Sequence, residues 1–97
     1  MRYKLKYMDS YYEDARQIIQ KYTEYPKKAK RILSEAKRQA ALLRKMPKLH
    51  PAYDEYHPFR RIVIEDYLLF YIVDEWEKVV EIHRMLYGRM DIPRHLY

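Results

Sequence analysis

Four arginines sit where folding could bring them together: Arg60 and Arg61 in one apolar stretch, Arg84 in another, and Arg89 just past Gly88. The guanidinium fork grips phosphate or carboxylate with paired hydrogen bonds, so arginines on adjacent strands would form an anion site. The competing arrangement pairs them with Glu65, Asp66, Glu81 and Asp91 and cancels the patch, and the sequence leaves both open. His83 falls on the polar side of an alternating stretch and is the candidate general acid or base. Tyr53, Tyr56, Tyr87 and Tyr97 fit no apolar stripe and are candidates for stacking on a base. Tyr3, Tyr7, Tyr11, Tyr22, Tyr67 and Tyr71 keep core periodicity and are expected inside.

Other chemistries are excluded by what is missing. The chain has no cysteine, so it offers no disulfide, thiol nucleophile or cysteine-held metal. His50, His57, His83 and His95 show no HxH or HExxH spacing, and no metal site or cofactor is expected. Gly88 is the only glycine, which rules out the glycine-rich phosphate loops. Ser10, Ser34 and Thr23 are the only aliphatic hydroxyls, and none has the context of a serine nucleophile.

Charge is unevenly distributed within the total of +6. Residues 26–48 carry nine basic side chains (Lys27, Lys28, Lys30, Arg31, Lys37, Arg38, Arg44, Lys45, Lys48) against Glu35 alone, a net +8. Residues 54–81 carry three basic against eight acidic side chains, a net −5. A basic segment of this density attracts nucleic acid or an acidic protein, or simply keeps a helix face solvated.

The elements that must position these residues follow from periodicity. Residues 2–8 alternate as a half-buried strand would. Ser10 and Glu13 have the spacing of a capping box, opening a helix over 10–24 whose stripe is Tyr11, Ala15, Ile18, Ile19 and Tyr22. Pro26 suits the first turn of a second helix, to about Lys45, with Ala29, Ile32, Leu33, Ala36, Ala40 and Leu43 inward. Residues 46–58 hold three prolines and no period, as in a loop. Strands are expected at Phe59–Ile64, Tyr67–Val73 and Lys78–Tyr87, the middle one apolar on both faces. Strict alternation would put Arg84 on the apolar face, so a bulge is expected nearby. The order β-α-α-β-β-β predicts an α+β, two-layer fold, a helical hairpin on a mostly antiparallel four-stranded sheet. The length of 97 residues suits a single domain over 1–97. No apolar run approaches the ~20 residues of a membrane span, and a cytoplasmic address without membrane contact is expected.

The second half resembles the RelE/ParE superfamily of toxins from type II toxin–antitoxin systems, the plasmid-stabilisation type. The resemblance rests on Arg60-Arg61-Ile62-Val63-Ile64, on Asp66-Tyr67-Leu68-Leu69-Phe70-Tyr71-Ile72-Val73, and on Val79 through Asp91 with its ending Tyr87-Gly88-Arg89-Met90-Asp91. The family pattern has an arginine-bearing strand, a tyrosine-framed apolar strand, and a strand ending near His-Gly-Arg-Arg-Asp. Tyr87 stands at the histidine of that ending and Met90 at the second arginine.

The resemblance implies a toxin with a cognate antitoxin as partner, reaching DNA only through that antitoxin. ParE-like members bind DNA gyrase and poison it. RelE-like members cleave mRNA on the ribosome without metal, using arginines and a tyrosine or histidine. In this second reading Arg61, His83, Arg89 and Tyr97 would be catalytic. Leu68 falls where the principal catalytic arginine of those ribonucleases stands, which favours the ParE-like branch and a protein that is not an enzyme. A third reading is an inactive member retained as a binding module. In each case Arg60, Arg84, Lys27, Lys28, Arg31, Lys37 and Arg38 are candidate binding residues.

Overall fold

The structure, a computed structural model, describes residues 2–97. Strand β1 (Lys4–Tyr7) turns Leu5 and Tyr7 towards the core and leaves Lys4 and Lys6 in water, as its alternation requires. Helix α1 (Asp9–Lys21) starts two residues earlier than its capping box implies. Met8 is the N-cap and makes no side-chain cap. The Ser10 hydroxyl instead donates to the His83 carbonyl at 2.6 Å, because a sheet edge lies within reach and needs it more. Helix α2 (Pro26–Leu42) begins on its proline and ends short of Lys45. The Arg44 carbonyl there accepts from the Tyr3 N–H at 2.8 Å, tying the helix end to the start of β1.

Strands β2 (Arg60–Ile64), β3 (Tyr67–Asp74) and β4 (Val79–Tyr87) form an antiparallel meander. β1 joins β4 in parallel, giving the order β1-β4-β3-β2. Helix α3 (Ile92–Leu96) is a single short turn near the C-terminus. Glu65 in the β2–β3 turn has φ 52, a left-handed conformation that glycine would adopt more readily. Both Glu65 carboxylate oxygens accept from Arg31 of α2, at 3.0 and 2.8 Å, which fixes the turn against the helix.

The sheet is apolar on both faces. One face packs Ile62, Ile64, Leu69, Tyr71, Val80 and Ile82 against Ile18, Ala29, Ile32, Ala36 and Ala40 of the helices. The other buries Phe70 and Leu86 beneath Ile92, Tyr53, Phe59 and Leu96. The 46–58 loop and α3 therefore supply the second cover that the apolar run of β3 demands.

The expected irregularity at Arg84 is present. Phe70 pairs with Arg84 and Tyr71 with Ile82, so His83 is the extra residue of a bulge. The bulge returns Arg84 and Leu86 to the face opposite the helices. β1 stops at Tyr7, opposite Ile82, and leaves the rest of the β4 edge without a strand. Helix α1 takes over. Asp14, only 5% exposed, accepts from the Met85 N–H at 2.9 Å and from Arg84 Nε and Nη2 at 2.8 and 3.1 Å. A buried carboxylate with several donors is stable where a bare one is not.

Candidate functional site

The face opposite the helices gathers Arg61 and Val63 from β2, Leu68 and Phe70 from β3, and Glu81, His83 and Arg84 from β4. Arg61 is exposed, its guanidinium 5.8 Å from the Tyr53 ring. His83 is half-buried, with Nε2 3.1 Å from Glu81 Oε1 and its ring edge-on to Phe59 at 5.5 Å. Arg84 uses three of its five N–H donors: Asp14 takes Nε and Nη2, and the His95 carbonyl accepts from Nη1 at 2.5 Å. Arg60 pairs with Tyr71 and so lies on the helix side, where Nη1 donates to the His50 carbonyl at 2.7 Å. Arg89 is exposed in the turn after β4.

The four arginines thus do not converge. Arg60 and Arg61 point to opposite faces, as neighbours on a strand must. Arg61 on β2 and Arg84 on β4 are two strands apart, about 10 Å. The alternative pairing with Glu65, Asp66, Glu81 and Asp91 does not hold either. Arg84 goes to Asp14 and a backbone carbonyl, Arg60 to another carbonyl and Arg61 to an aromatic ring, while Glu65 goes to Arg31 and Glu81 to His83.

Tyr97 closes this face from the C-terminus. Its hydroxyl donates to Asp54 Oδ2 at 2.5 Å, and its ring stacks on His57 at 3.7 Å. Asp54 Oδ1 also accepts from the N–H groups of Tyr56 and His57, both at 2.9 Å. The Tyr97 hydroxyl bond first, then those N–H groups, bring the Asp54 carboxyl down to about 2. Partial burial and the Asp54 contact push the Tyr97 hydroxyl up to about 12. Tyr97 is a clasp between the tail and the 46–58 loop.

Tyr53 packs edge-on against Phe70, Tyr56 is exposed, and Tyr87 turns to the helix side against Tyr67. Tyr87 therefore does not join Tyr53 and Tyr97. The helical basic residues occupy a separate surface. Lys27, Lys37 and Arg38 are exposed, Lys28 lies 4.7 Å above the Tyr22 ring, Arg31 is tied to Glu65 and Arg38 to Glu35. Ile19, expected in the core stripe, is 54% exposed and lines an open groove between α1 and α2.

Two carboxylates central to this geometry are missed by periodicity. Asp14 lies between Tyr11 and Ile18 on the inward stripe of α1, and a charge at a core position signals a buried partner. Asp54 lies two residues before Tyr56 in a proline-rich loop, a spacing suited to an Asx turn.

Known proteins bear on this geometry. Residues 5–92 match the family profile described as the ParE toxin of the type II toxin–antitoxin system parDE. The chain belongs to the ParE toxin family. Among solved structures it is similar to the chromosomal ParDE toxin–antitoxin system from P. aeruginosa, with TM-score 0.73 and 19% identity over 89% of this chain and 96% of that one. It is also similar to the RelBE2 toxin–antitoxin complex from Mycobacterium tuberculosis, with TM-score 0.66 and 18% identity over 90% and 99%. An arginine-to-alanine mutant of the E. coli toxin RelE in the free state superposes with TM-score 0.73 and 13% identity over 98% and 93%. A search of curated protein sequences finds no match. The fold is thus common to ParE-like and RelE-like proteins, and the side chains of the sheet face must separate their chemistries.

Proposed function

We propose that this ParE-family toxin inhibits growth by binding DNA gyrase, without catalysing a reaction of its own, and that a cognate antitoxin neutralises it in the cytoplasm. One observation carries the reading: among the described residues, the sheet face has no converging group of cations to hold a scissile phosphate. Leu68 lies there, Arg84 is committed to Asp14 and the His95 carbonyl, and Arg61 stands alone. Phosphate cleavage needs charge donors already aimed at the transition state. Tyr97, raised to about 12 and bound to Asp54, is far from the acidity that suits a proton donor at neutral pH.

The antitoxin reading is supported by the groove between the helices. Ile19, Tyr22, Ala29 and Leu33 line about 560 Å³ of open apolar space, with Lys30 and Lys37 among its walls. A second depression at Tyr7, Tyr12, Ala15 and Leu33 extends it. An amphipathic acidic helix that folds on binding would bury this seam and pair with the lysines.

The ribonuclease alternative keeps one supporting observation, the His83–Glu81 contact on the same face as Arg61. Pulse labelling after induction separates the two. The gyrase reading expects DNA synthesis to fall first while amino-acid incorporation continues. An immediate arrest of translation would favour mRNA cleavage.

A further inference from the structure

Helix α2 carries its charge against its own stability. Eight cations fall within residues 26–45, and Glu35 is the only anion there. Lys27, Lys28, Lys30 and Arg31 crowd the N-terminal end, with no acidic residue in the first turn. That is the positive end of the helix dipole, where cations are disfavoured. Lys27 and Arg31 add a like-charge pair at the i, i+4 spacing. Keeping a helix in water does not require this, since α1 sets Asp9 and Glu13 against Arg16 and Lys21.

The cations are also ordered. Lys27, Arg31, Ser34, Arg38 and Ala41 repeat at intervals of four and three residues, so they form one exposed line away from the buried Ile32, Ala36 and Ala40. Lys45 extends the line in the turn after the helix, and Lys30 and Lys37 flank it on the groove side. From Lys27 to Lys45 it runs about 27 Å. Glu35 is taken by Arg38 and Glu65 by Arg31, and Glu24 stands beyond the N-terminal end. Both ion pairs are exposed, so a competing anion can displace them.

We infer that this line docks on the phosphate backbone of duplex DNA, a contact the toxin makes itself in addition to any made through its antitoxin. A protein partner needs apolar anchors at the centre of the contact. Here the large exposed apolar side chains, Tyr25 and Leu42, stand at the two ends with none between them. Exposed charges alone gain little from a protein, whereas on nucleic acid each one releases condensed counterions. Single strands are held by stacking on aromatic rings, and the line has none. The small Ser34 and Ala41 let a backbone lie close, and 27 Å matches the rise of about eight base pairs. The choice of DNA over RNA rests on the gyrase reading above.

Fluorescence anisotropy of the purified toxin on a labelled duplex of about 20 base pairs, between about 50 and 200 mM salt, tests this. With about five phosphate contacts, log affinity should fall against log salt with a slope of about −4.5. The triple variant Lys27→Gln, Arg38→Gln, Lys45→Gln should lower that slope by about 3 and weaken binding at least about tenfold. Its melting temperature should hold or rise, because like charges are removed. A control variant, Lys4→Gln, Lys6→Gln, Arg94→Gln, takes the same charge from exposed residues of β1 and the tail and should keep the slope within about 1. Equal losses in both variants would overturn the inference, since net charge alone would then explain binding. Tighter binding to an RNA duplex or to a single strand would overturn it. So would a triple variant that keeps DNA and loses antitoxin, which would assign the line to that partner. DNA binding as expected, by a protein that leaves gyrase untouched, would uphold the inference and remove the gyrase reading alone.

Discussion

Replacing Asp14 by alanine removes the acceptor of three hydrogen bonds at the uncovered end of β4. The Met85 N–H is buried there and would have no other partner in reach, which costs about 1–3 kcal/mol. Arg84 is only partly buried, so water recovers part of its loss, but breaking a largely buried pair adds ~1–2 kcal/mol. The sum, about 3 kcal/mol, is a large share of the ~5–15 kcal/mol that holds a domain together. At roughly 4–8 °C per kcal/mol for this chain length, the melting temperature should drop by about 12–24 °C. Asp14→Asn keeps an acceptor for Met85 and should lose about half as much. Thermal unfolding followed by circular dichroism reads both variants. A drop under about 4 °C for Asp14→Ala would refute the claim that α1 completes the sheet edge through this carboxylate. A double-mutant cycle with Arg84→Ala should show coupling of at least about 1 kcal/mol, since the two side chains share one network.

The clasp of Tyr97 on Asp54 has a defined pH window. Asp54 is lowered from 3.8 to about 2, so its contribution is complete above pH 4 and lost as pH falls towards 2. Tyr97 is raised from 10 to about 12, so its contribution is complete below pH 10 and lost as pH rises towards 12. The stability difference between wild type and Tyr97→Phe should be flat between those limits, and a difference that vanished near neutral pH would contradict the assignment. Glu65→Gly should be more stable than Glu65→Ala by about 1 kcal/mol in urea unfolding, because both lose Arg31 but only glycine relieves φ 52. Ile19→Asp should leave stability within about 0.5 kcal/mol while weakening antitoxin binding at least tenfold, measured by calorimetry. Unchanged antitoxin affinity would move that partner off the α1–α2 groove.

Much of the fold is legible in the residues because its signals are local. The alternation of Tyr3, Leu5 and Tyr7, the Pro26 start of α2, and the two-sided apolar run of β3 each name their element without tertiary help. The polar/apolar conflict at Arg84 even locates the bulge, although not that His83 is the inserted residue. What sequence could not supply is long-range pairing. Ser10 has the right spacing to cap its own helix and is drawn instead to a carbonyl 73 residues away. The arginines have acidic neighbours in sequence, yet Arg84 finds Asp14, which is 70 residues distant. Asp54 and Tyr97 meet across 43 residues, and no periodicity connects a loop to a tail. The site is therefore less readable than the fold, since its geometry depends on which segments the sheet brings side by side.

The central claim is that the toxin binds gyrase and cleaves nothing. One pair of assays on purified wild-type protein tests it most directly: gyrase supercoiling and DNA cleavage in one arm, primer extension on ribosome-bound mRNA in the other. The account predicts inhibited supercoiling or trapped cleavage complexes in the first and intact mRNA in the second. An A-site cut that disappears in Arg89→Ala, with gyrase untouched, would contradict it.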